Sequence, residues 1–290
     1  MNISILSGKG GTGKTTISTN LSILLSENHE NVSYFDFDVE EPNGFIFLKP
    51  DIEIENKVFK KVPKIDKELC TNCGECSKLC KFNAISITPN NSTVFEKLCH
   101  DCGLCYIACP VQAISEILRE IGKIESGKSK DIPNLNAFRG VLNIGEPSGV
   151  PVISALKKFL DVDSINILDA PPGSSCSVIN TVEDSDYSIL VTEPTKFGLH
   201  DLKTAVEVLR YLNIPFGVLI NKSDEFDFII ENYCENEKID ILGKIPFSRN
   251  IANKYSKGNI LINSDAEFTQ HLRDIASELE KRLILWNRSS

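Results

Sequence analysis

The segment Ile3-Ser4-Ile5-Leu6-Ser7-Gly8-Lys9-Gly10-Gly11-Thr12-Gly13-Lys14-Thr15-Thr16 decides the fold. A short apolar strand runs into a glycine loop, and from Lys14 onward Ile17, Leu21, Leu24 and Leu25 recur at helical spacing. The loop fits two patterns. As G-x-G-x-x-G it is a dinucleotide turn, with Asp36 or Asp38 as the ribose-binding acid; as G-x-x-x-x-G-K-[ST] it is a phosphate loop. Lys14-Thr15 decides between them. Triphosphate chemistry needs a cation on the β- and γ-phosphates and a hydroxyl on Mg²⁺, whereas a dinucleotide turn needs no lysine there. The glycines let backbone N–H groups converge on phosphate at a helix N-terminus.

Further along, Val32–Phe35 reads as a second strand ending in Asp36-Phe37-Asp38. Apolar runs of strand length recur at 165–168, 187–191, 216–220 and 241–243, separated by helical patterns such as Leu199 to Leu212. Nearly continuous apolar strands alternating with helices predict an α/β fold with a parallel sheet covered on both faces. Residues 64–114 break that rhythm. Lys123 to Asp131, polar and glycine-bearing, reads as a loop before the α/β pattern resumes near Val141.

Eight of the ten cysteines fall in the interrupting stretch. Cys70, Cys73, Cys76 and Cys80 recur as Cys99, Cys102, Cys105 and Cys109 at a constant offset of 29 residues, and Ala84-Ile85-Ser86 recurs with them. So short a duplicated unit buries little core unaided and needs something bound to hold it. The spacing C-x2-C-x2-C-x3-C is that of bacterial two-cluster ferredoxins, in which the fourth cysteine of each run serves the other cluster. One [4Fe–4S] cluster then takes Cys70, Cys73, Cys76 and Cys109, and the other Cys99, Cys102, Cys105 and Cys80. Zinc is the rival, but a zinc ribbon uses two separated pairs and leaves the third and fourth cysteines unexplained. The first run has Lys81 where the second has Pro110, which removes no ligand.

Lys9 adds a resemblance. The run Lys9 to Thr16 is similar to the deviant phosphate loop of the MinD/ParA-like ATPases, a class that includes the nitrogenase iron protein. That resemblance implies ATP, Mg²⁺ and a homodimer formed with ATP, in which Lys9 reaches the partner's nucleotide. It makes Lys9, Lys14 and Asp38 the catalytic candidates, with Asp38 orienting the attacking water. Gly8, Lys9, Gly10, Gly11, Thr12, Gly13, Lys14, Thr15 and Thr16 are implied to hold the nucleotide, Thr15 also meeting Mg²⁺. Asp36 and Asp169 are implied to support the metal's waters, and the Gly173 N–H to sense the γ-phosphate. Asn221 resembles the residue that reads adenine, and Pro246 lies in a segment like that lining the base pocket. Asn221-Lys222-Ser223-Asp224 also spells the guanine-reading N-K-x-D, which keeps GTP open. With the cysteine-rich insert, the chain resembles MinD-superfamily ATPases containing a ferredoxin domain. The expected division is 1–63 and 115–290 for the P-loop ATPase domain and 64–114 for the ferredoxin-like α+β insert.

The 290-residue chain has 31 Lys plus Arg against 40 Asp plus Glu, a formal charge of -9 that argues against non-specific nucleic-acid binding. No apolar run spans a bilayer and no signal peptide is read, so the expected location is cytoplasmic. The helix Phe268-Leu272-Ile275-Leu279-Leu283, followed by Trp286 and flanked by Lys281, Arg282 and Arg288, reads as a core-closing stripe rather than a membrane anchor. Cys176 and Cys234 are expected to be structural thiols, Cys176 at least half-buried. His100 is expected to face solvent or pack near a cluster. Three functions follow: ATP-gated low-potential electron transfer to a redox protein or metalloenzyme, metallocentre maturation or cluster carriage, and a positioning ATPase with a redox-sensing insert.

Overall fold

The computed structural model describes residues 1–132, 134–262 and 264–287, with side chains through residue 282. Eleven strands are present among them. Strands β1 (Asn2–Leu6), β2 (Val32–Asp36), β3 (Pro50–Ile65), β6 (Ile114–Ser129), β7 (Leu135–Leu142), β8 (Ile165–Asp169), β9 (Tyr187–Thr192), β10 (Phe216–Ser223) and β11 (Ile241–Pro246) form one sheet. Its order is β11-β10-β9-β1-β8-β2-β7-β6-β3. Pairing is parallel from β11 through β7 and antiparallel from β7 through β6 to β3. The sheet is therefore mixed rather than wholly parallel. A separate hairpin, β4 (Ile85–Thr88) and β5 (Asn91–Val94), belongs to the cysteine-rich segment.

Strand side chains alternate between two faces, and both are covered. Ile3 and Ile5 of β1 pack in a core with Ile17 and Leu21 of α1 (Lys14–Ser26), together with α2 (Gly44–Leu48) and the long C-terminal α10 (Ala266–Asn287). Leu6 and Leu190 face α6 (Cys176–Val182), α7 (Lys196–Tyr211) and α8 (Phe228–Glu237). Phe35, Phe37 and Leu168 face α5 (Val150–Leu156). The buried Cys234 belongs to the second of these cores, and burial pushes its thiol up to about 11.

The polar stretch Lys123–Asp131, expected as a loop, is instead strand through Ser129. Its polar groups are satisfied by pairing, which the sequence pattern hides. Buried Glu125 contacts Lys123 at 2.5 Å and Arg139 of β7 at 2.5 Å. Burial alone would raise the Glu125 carboxyl, but those two cations hold it below its usual range. Gly127 fits because β3 crowds it; a Cβ there would lie 1.8 Å from the Asp51 carbonyl oxygen.

The expected boundaries at 64 and 114 fall at the far end of the β3–β6 hairpin, whose strands pair from Pro50–Ser129 to Ile65–Ile114. Between them lie α3 (Glu75–Leu79) and α4 (Leu104–Ile107), one in each cysteine repeat.

Helix α10 buries Phe268, Leu272, Ile275 and Leu279 against the sheet, so its apolar stripe closes the core. The side chains of Leu283 and Trp286, and all of Arg288, lie outside the described residues. Among the described residues no helix is long and apolar enough to cross a membrane. The segment before α10 is held by buried Asn20 of α1, whose Oδ1 accepts from the N–H groups of Leu261 and Ile262 at 2.9 and 3.0 Å. Asn20→Ala should strand both amides and cost about 2–4 kcal/mol. A denaturant-melt difference below about 0.5 kcal/mol would show that this bond pair is not holding the segment.

Candidate functional site

The carboxyl ends of β1, β2, β8, β9 and β10 meet around the glycine loop. Gly11 and Gly13 adopt φ of +83° and +96°, which L side chains resist, and Gly13 caps α1 without any side-chain acceptor. The first-turn N–H groups of α1 are thus not claimed by a cap, the arrangement that favours an anion. Gly8 is required by close approach, since a Cβ there would lie 2.4 Å from the Asp201 carbonyl oxygen. Asn221 clamps the loop by donating from Nδ2 to the Thr12 carbonyl at 2.7 Å, and Lys222 donates to the Gly11 carbonyl at 2.9 Å.

A cavity of about 400 Å³ opens in front of this loop. Of the sequence candidates, Gly10, Gly11, Gly13, Lys14, Thr15, Thr16, Asp38, Asn221 and Pro246 line it. Gly8 and Thr12 stand behind the lining as supports. Asp224 is also outside it, its carboxylate accepting from the Phe226 N–H at 2.8 Å in a local turn. The far wall comes from Phe247, Ser248 and Tyr255, the last two at the ends of α9 (Arg249–Ser256) and its cap. Phe247 ends the segment expected at the base pocket, whereas Ser248 and Tyr255 were missed in the sequence, although Ser248 three residues before Ile251, whose N–H it accepts, is a helix-start signal.

Asp36 and Asp169 sit directly opposite one another on β2 and β8, both buried, one layer below the cavity lining. Asp36 accepts from the N–H groups of Gly44 at 2.9 Å and Asp38 at 3.2 Å, which ties it to the following loop. Burial, with Asp169 alongside, raises the Asp36 carboxyl well above its ordinary value. The Tyr34 hydroxyl donates to Asp169 Oδ2 at 3.0 Å and leaves Oδ1 buried without a partner. An orphaned carboxylate oxygen fits a hydrated cation. Tyr34 carries no sequence signal beyond its place in an apolar strand. The Gly173 N–H donates to the Ser7 carbonyl at 3.0 Å, so contact with a γ-phosphate requires that bond to open.

Lys9 does not line its own chain's cavity. Its ammonium lies 3.5 Å from Glu193, which also holds Lys222 at 2.5 Å. Cys176 is the first residue of α6 and is exposed, not half-buried as expected.

The other eight cysteines ring two cavities in two sets of four. Cys70, Cys73, Cys76 and Cys109 line one, and Cys80, Cys99, Cys102 and Cys105 line the other. These are the crossed sets expected from the repeat. The two halves share backbone form: Asn72 and Asp101, Gly74 and Gly103, and Asn83 and Gln112 all have positive φ. The fourth cysteine of each run accepts a backbone N–H, Ala84 to Cys80 Sγ at 3.3 Å and Ala113 to Cys109 Sγ at 3.2 Å. Burial raises the Cys76 and Cys99 thiols and pushes Cys105 up to about 11, so loading a metal must release protons. His100 stacks on Phe82 at 3.8 Å beside the second set. Among the described residues no three metal-ligating side chains converge as a single ion requires. Four thiols around one cavity are a donor set that would fit a four-iron cluster.

Burial raises Asp38 to about 6, with Lys14 opposing the shift. A carboxyl raised in the folded state binds more protons than in the unfolded chain, so its contribution to stability falls as pH rises from 3.8 to about 6. Asp38→Asn should therefore stabilise the nucleotide-free protein at pH 7.5, by at most about 3 kcal/mol, and scarcely at pH 3.5. Thermal melts at both pH values check this; an equal effect at both would refute the burial argument.

Comparison with known proteins extends this picture. A 24%-identical relative over 317 residues, covering 97% of this chain and 86% of its own, is the iron-sulfur cluster carrier protein of Pyrococcus horikoshii. An uncharacterized protein of Methanocaldococcus jannaschii is 31% identical over 284 residues, 97% of each chain. The cell division ATPase MinD of Pyrococcus furiosus superposes with a TM-score of 0.61 at 18% identity, over 97% of this chain and 98% of that one. MinD of Pyrococcus horikoshii, solved with Mg-ADP, gives 0.60 at 21% identity over 98% of each. These two structures share the fold. The CobQ/CobB/MinD/ParA nucleotide binding domain model matches residues 3–262, and the chain belongs to that family.

Proposed function

We propose that this protein is a Mg-ATP-hydrolysing iron-sulfur protein, cytoplasmic, in which ATP-dependent self-association controls low-potential electron transfer to a redox partner. Residues 1–63 and 115–290 form the ATPase, and 64–114 the ferredoxin-like insert. The observation that carries the reading is the grouping of eight cysteines into two crossed sets of four in a chain that also carries a phosphate loop of the Lys9/Lys14 type. The crossed sets would hold two [4Fe–4S] clusters, which supply one-electron transfer at low potential when bound.

The chain's own residues divide the work. Lys14 and the α1 N-terminus offset phosphate charge in ground and transition states alike, while Thr15 and Asp169 would hold Mg²⁺ and its waters. Asp38 lies at the cavity wall, where it orients the water that attacks the γ-phosphorus and displaces ADP. Lys9 must leave Glu193 to reach a second subunit's nucleotide. Asn221 and Pro246 border the base, and the turn-bound Asp224 favours adenine over guanine recognition.

A second reading, cluster carriage, is favoured by the name of the Pyrococcus relative. It separates from the first by iron retention. A carrier should lose iron to an apo acceptor in minutes, whereas an electron carrier should keep it through many redox cycles.

The protein prepared without air should hold about eight irons, and Cys109→Ser should leave about four, the losses falling on the set of Cys70, Cys73 and Cys76. Stoichiometric zinc without iron would end the reading. Lys14→Ala should weaken Mg-ATP binding by about 10–100-fold. Asp38→Ala should bind ATP, sediment as a dimer with it, and fail to hydrolyse it. A monomer at saturating ATP would defeat the sandwich, and tight GTP binding without ATP competition would restore guanine.

A further inference from the structure

The two cysteine repeats are joined to the ATPase body unequally. Among the described residues the one ion pair within 66–84 is Lys78–Glu75, internal to α3. The side-chain hydrogen bonds of that half, such as Ser77 to the Ile85 carbonyl and Asn72 to the Pro89 carbonyl, also stay inside the insert. The second half is different. Lys60 of β3, 7% exposed at its side chain, donates to the Cys99 carbonyl at 3.0 Å and lies 3.5 Å from Glu146. Glu146, 4% exposed, sits in the loop joining β7 to α5 and receives a two-pronged bond from Arg119 at 2.9 and 2.5 Å. Arg119 reaches Glu96, three residues before Cys99, at 3.3 Å.

The same loop is bound to the segment that follows Asp38. The Leu142 N–H donates to the Val39 carbonyl at 2.8 Å, and buried Val39 fills the space left by Gly140 and Gly149. A Cβ on either glycine would lie 2.7 or 2.5 Å from a Val39 methyl group. A displacement of Asp38 therefore meets rigid packing on both sides of the Glu146 loop, and close packing transmits displacement rather than absorbing it.

We propose that Glu146, with Lys60 and Arg119, is the strut through which the nucleotide site acts on the second four-cysteine site, Cys80, Cys99, Cys102 and Cys105, and not on the first. The inference rests on the function proposed above and names which of the two centres senses the nucleotide. Two effects run through the strut. One is mechanical, since Arg119 and Lys60 move with Glu146 and hold Glu96 and the Cys99 carbonyl. The other is electrostatic: Glu146 compensates the buried Lys60 ammonium, so shifting Glu146 exposes the second site to more positive charge. Charges and hydrogen bonds beside a cluster set its potential, and in a buried setting they are weakly screened.

The test uses the full chain reconstituted with iron and sulfide, with nucleotide and iron content measured on the same samples. Hydrogen exchange is compared with ADP and with a non-hydrolysable ATP analogue. Amides of 95–103 and 141–149 should change protection between the two states, and those of 70–76 should not. In Glu146→Gln the response at 141–149 should persist and that at 95–103 should vanish. Redox titration of Glu146→Gln should raise one of the two midpoints and leave the other; Lys60→Gln should lower that same one. Equal exchange responses in both repeats, a 95–103 response that survives Glu146→Gln, or midpoints that move together would overturn the strut. If Glu146→Gln does not fold, the native-protein comparison still decides, and Arg119→Lys, which keeps the charge and loses the fork, takes its place. Absence of bound nucleotide or iron would defeat the proposed function and the strut with it. Both present with no response at 95–103 would defeat the strut alone.

Discussion

Parallel pairing in register is the constraint on which the rest of the molecule depends. Because β1, β2, β8, β9 and β10 run the same way, their carboxyl ends finish at one edge, and whatever follows each strand is delivered to the same place. That geometry brings Asp36 opposite Asp169, residues 133 positions apart in the chain, with Tyr34 bonded to the latter. It also lets Asn221, at the end of β10, clamp the loop that follows β1. Two buried carboxylates side by side are costly, and the cost falls on one edge of a well-packed sheet.

The antiparallel β3–β6 ribbon obeys a different rule. It is anchored to the sheet through β7 and then continues beyond it, carrying the cysteine repeats at its far end. Two register shifts, between Ile52 and Ile54 and between Val58 and Phe59, adjust its course. Past the second of these, Lys60 and Val62 are buried while Phe59 and Lys61 are exposed, so a buried face and an exposed face alternate along the arm. Lys60 is buried there only because Glu146 and the Cys99 carbonyl meet its charge.

Local signals made most of this legible in the sequence. Glycine spacing, Lys14-Thr15 and strand-end aspartates mark the loop and its acids, and the constant cysteine offset marks the crossed sets that now ring two cavities. What escaped was set by partners far away in sequence. Lys123 to Ser129 looked like a loop, but its buried Glu125 is neutralised by Lys123 and Arg139, not by water. Tyr34 reads as one more apolar strand residue, and only the fold reveals its bond to Asp169. The engagement of the Gly173 N–H with Ser7, the pairing of Lys9 with Glu193 and the exposure of Cys176 likewise depend on neighbours that no local pattern encodes.

The ribbon also bears on how the chain reaches this state. In the finished sheet β1 lies between β8 and β9, with Asn2 opposite Asn166, so a long excursion must be closed before the central strands can meet. The entropy lost in closing a loop grows with its length. Pairing Pro50 with Ser129 short-circuits the middle of that excursion, because the residues between them no longer count as free chain. An ordered ribbon is thus a splint for the β1–β8 closure, shortening the free loop that the sheet's centre must close. The ribbon, by pairing its own strands, acts on the assembly of a phosphate-loop fold to whose cavity the cysteines at its tip contribute no residue.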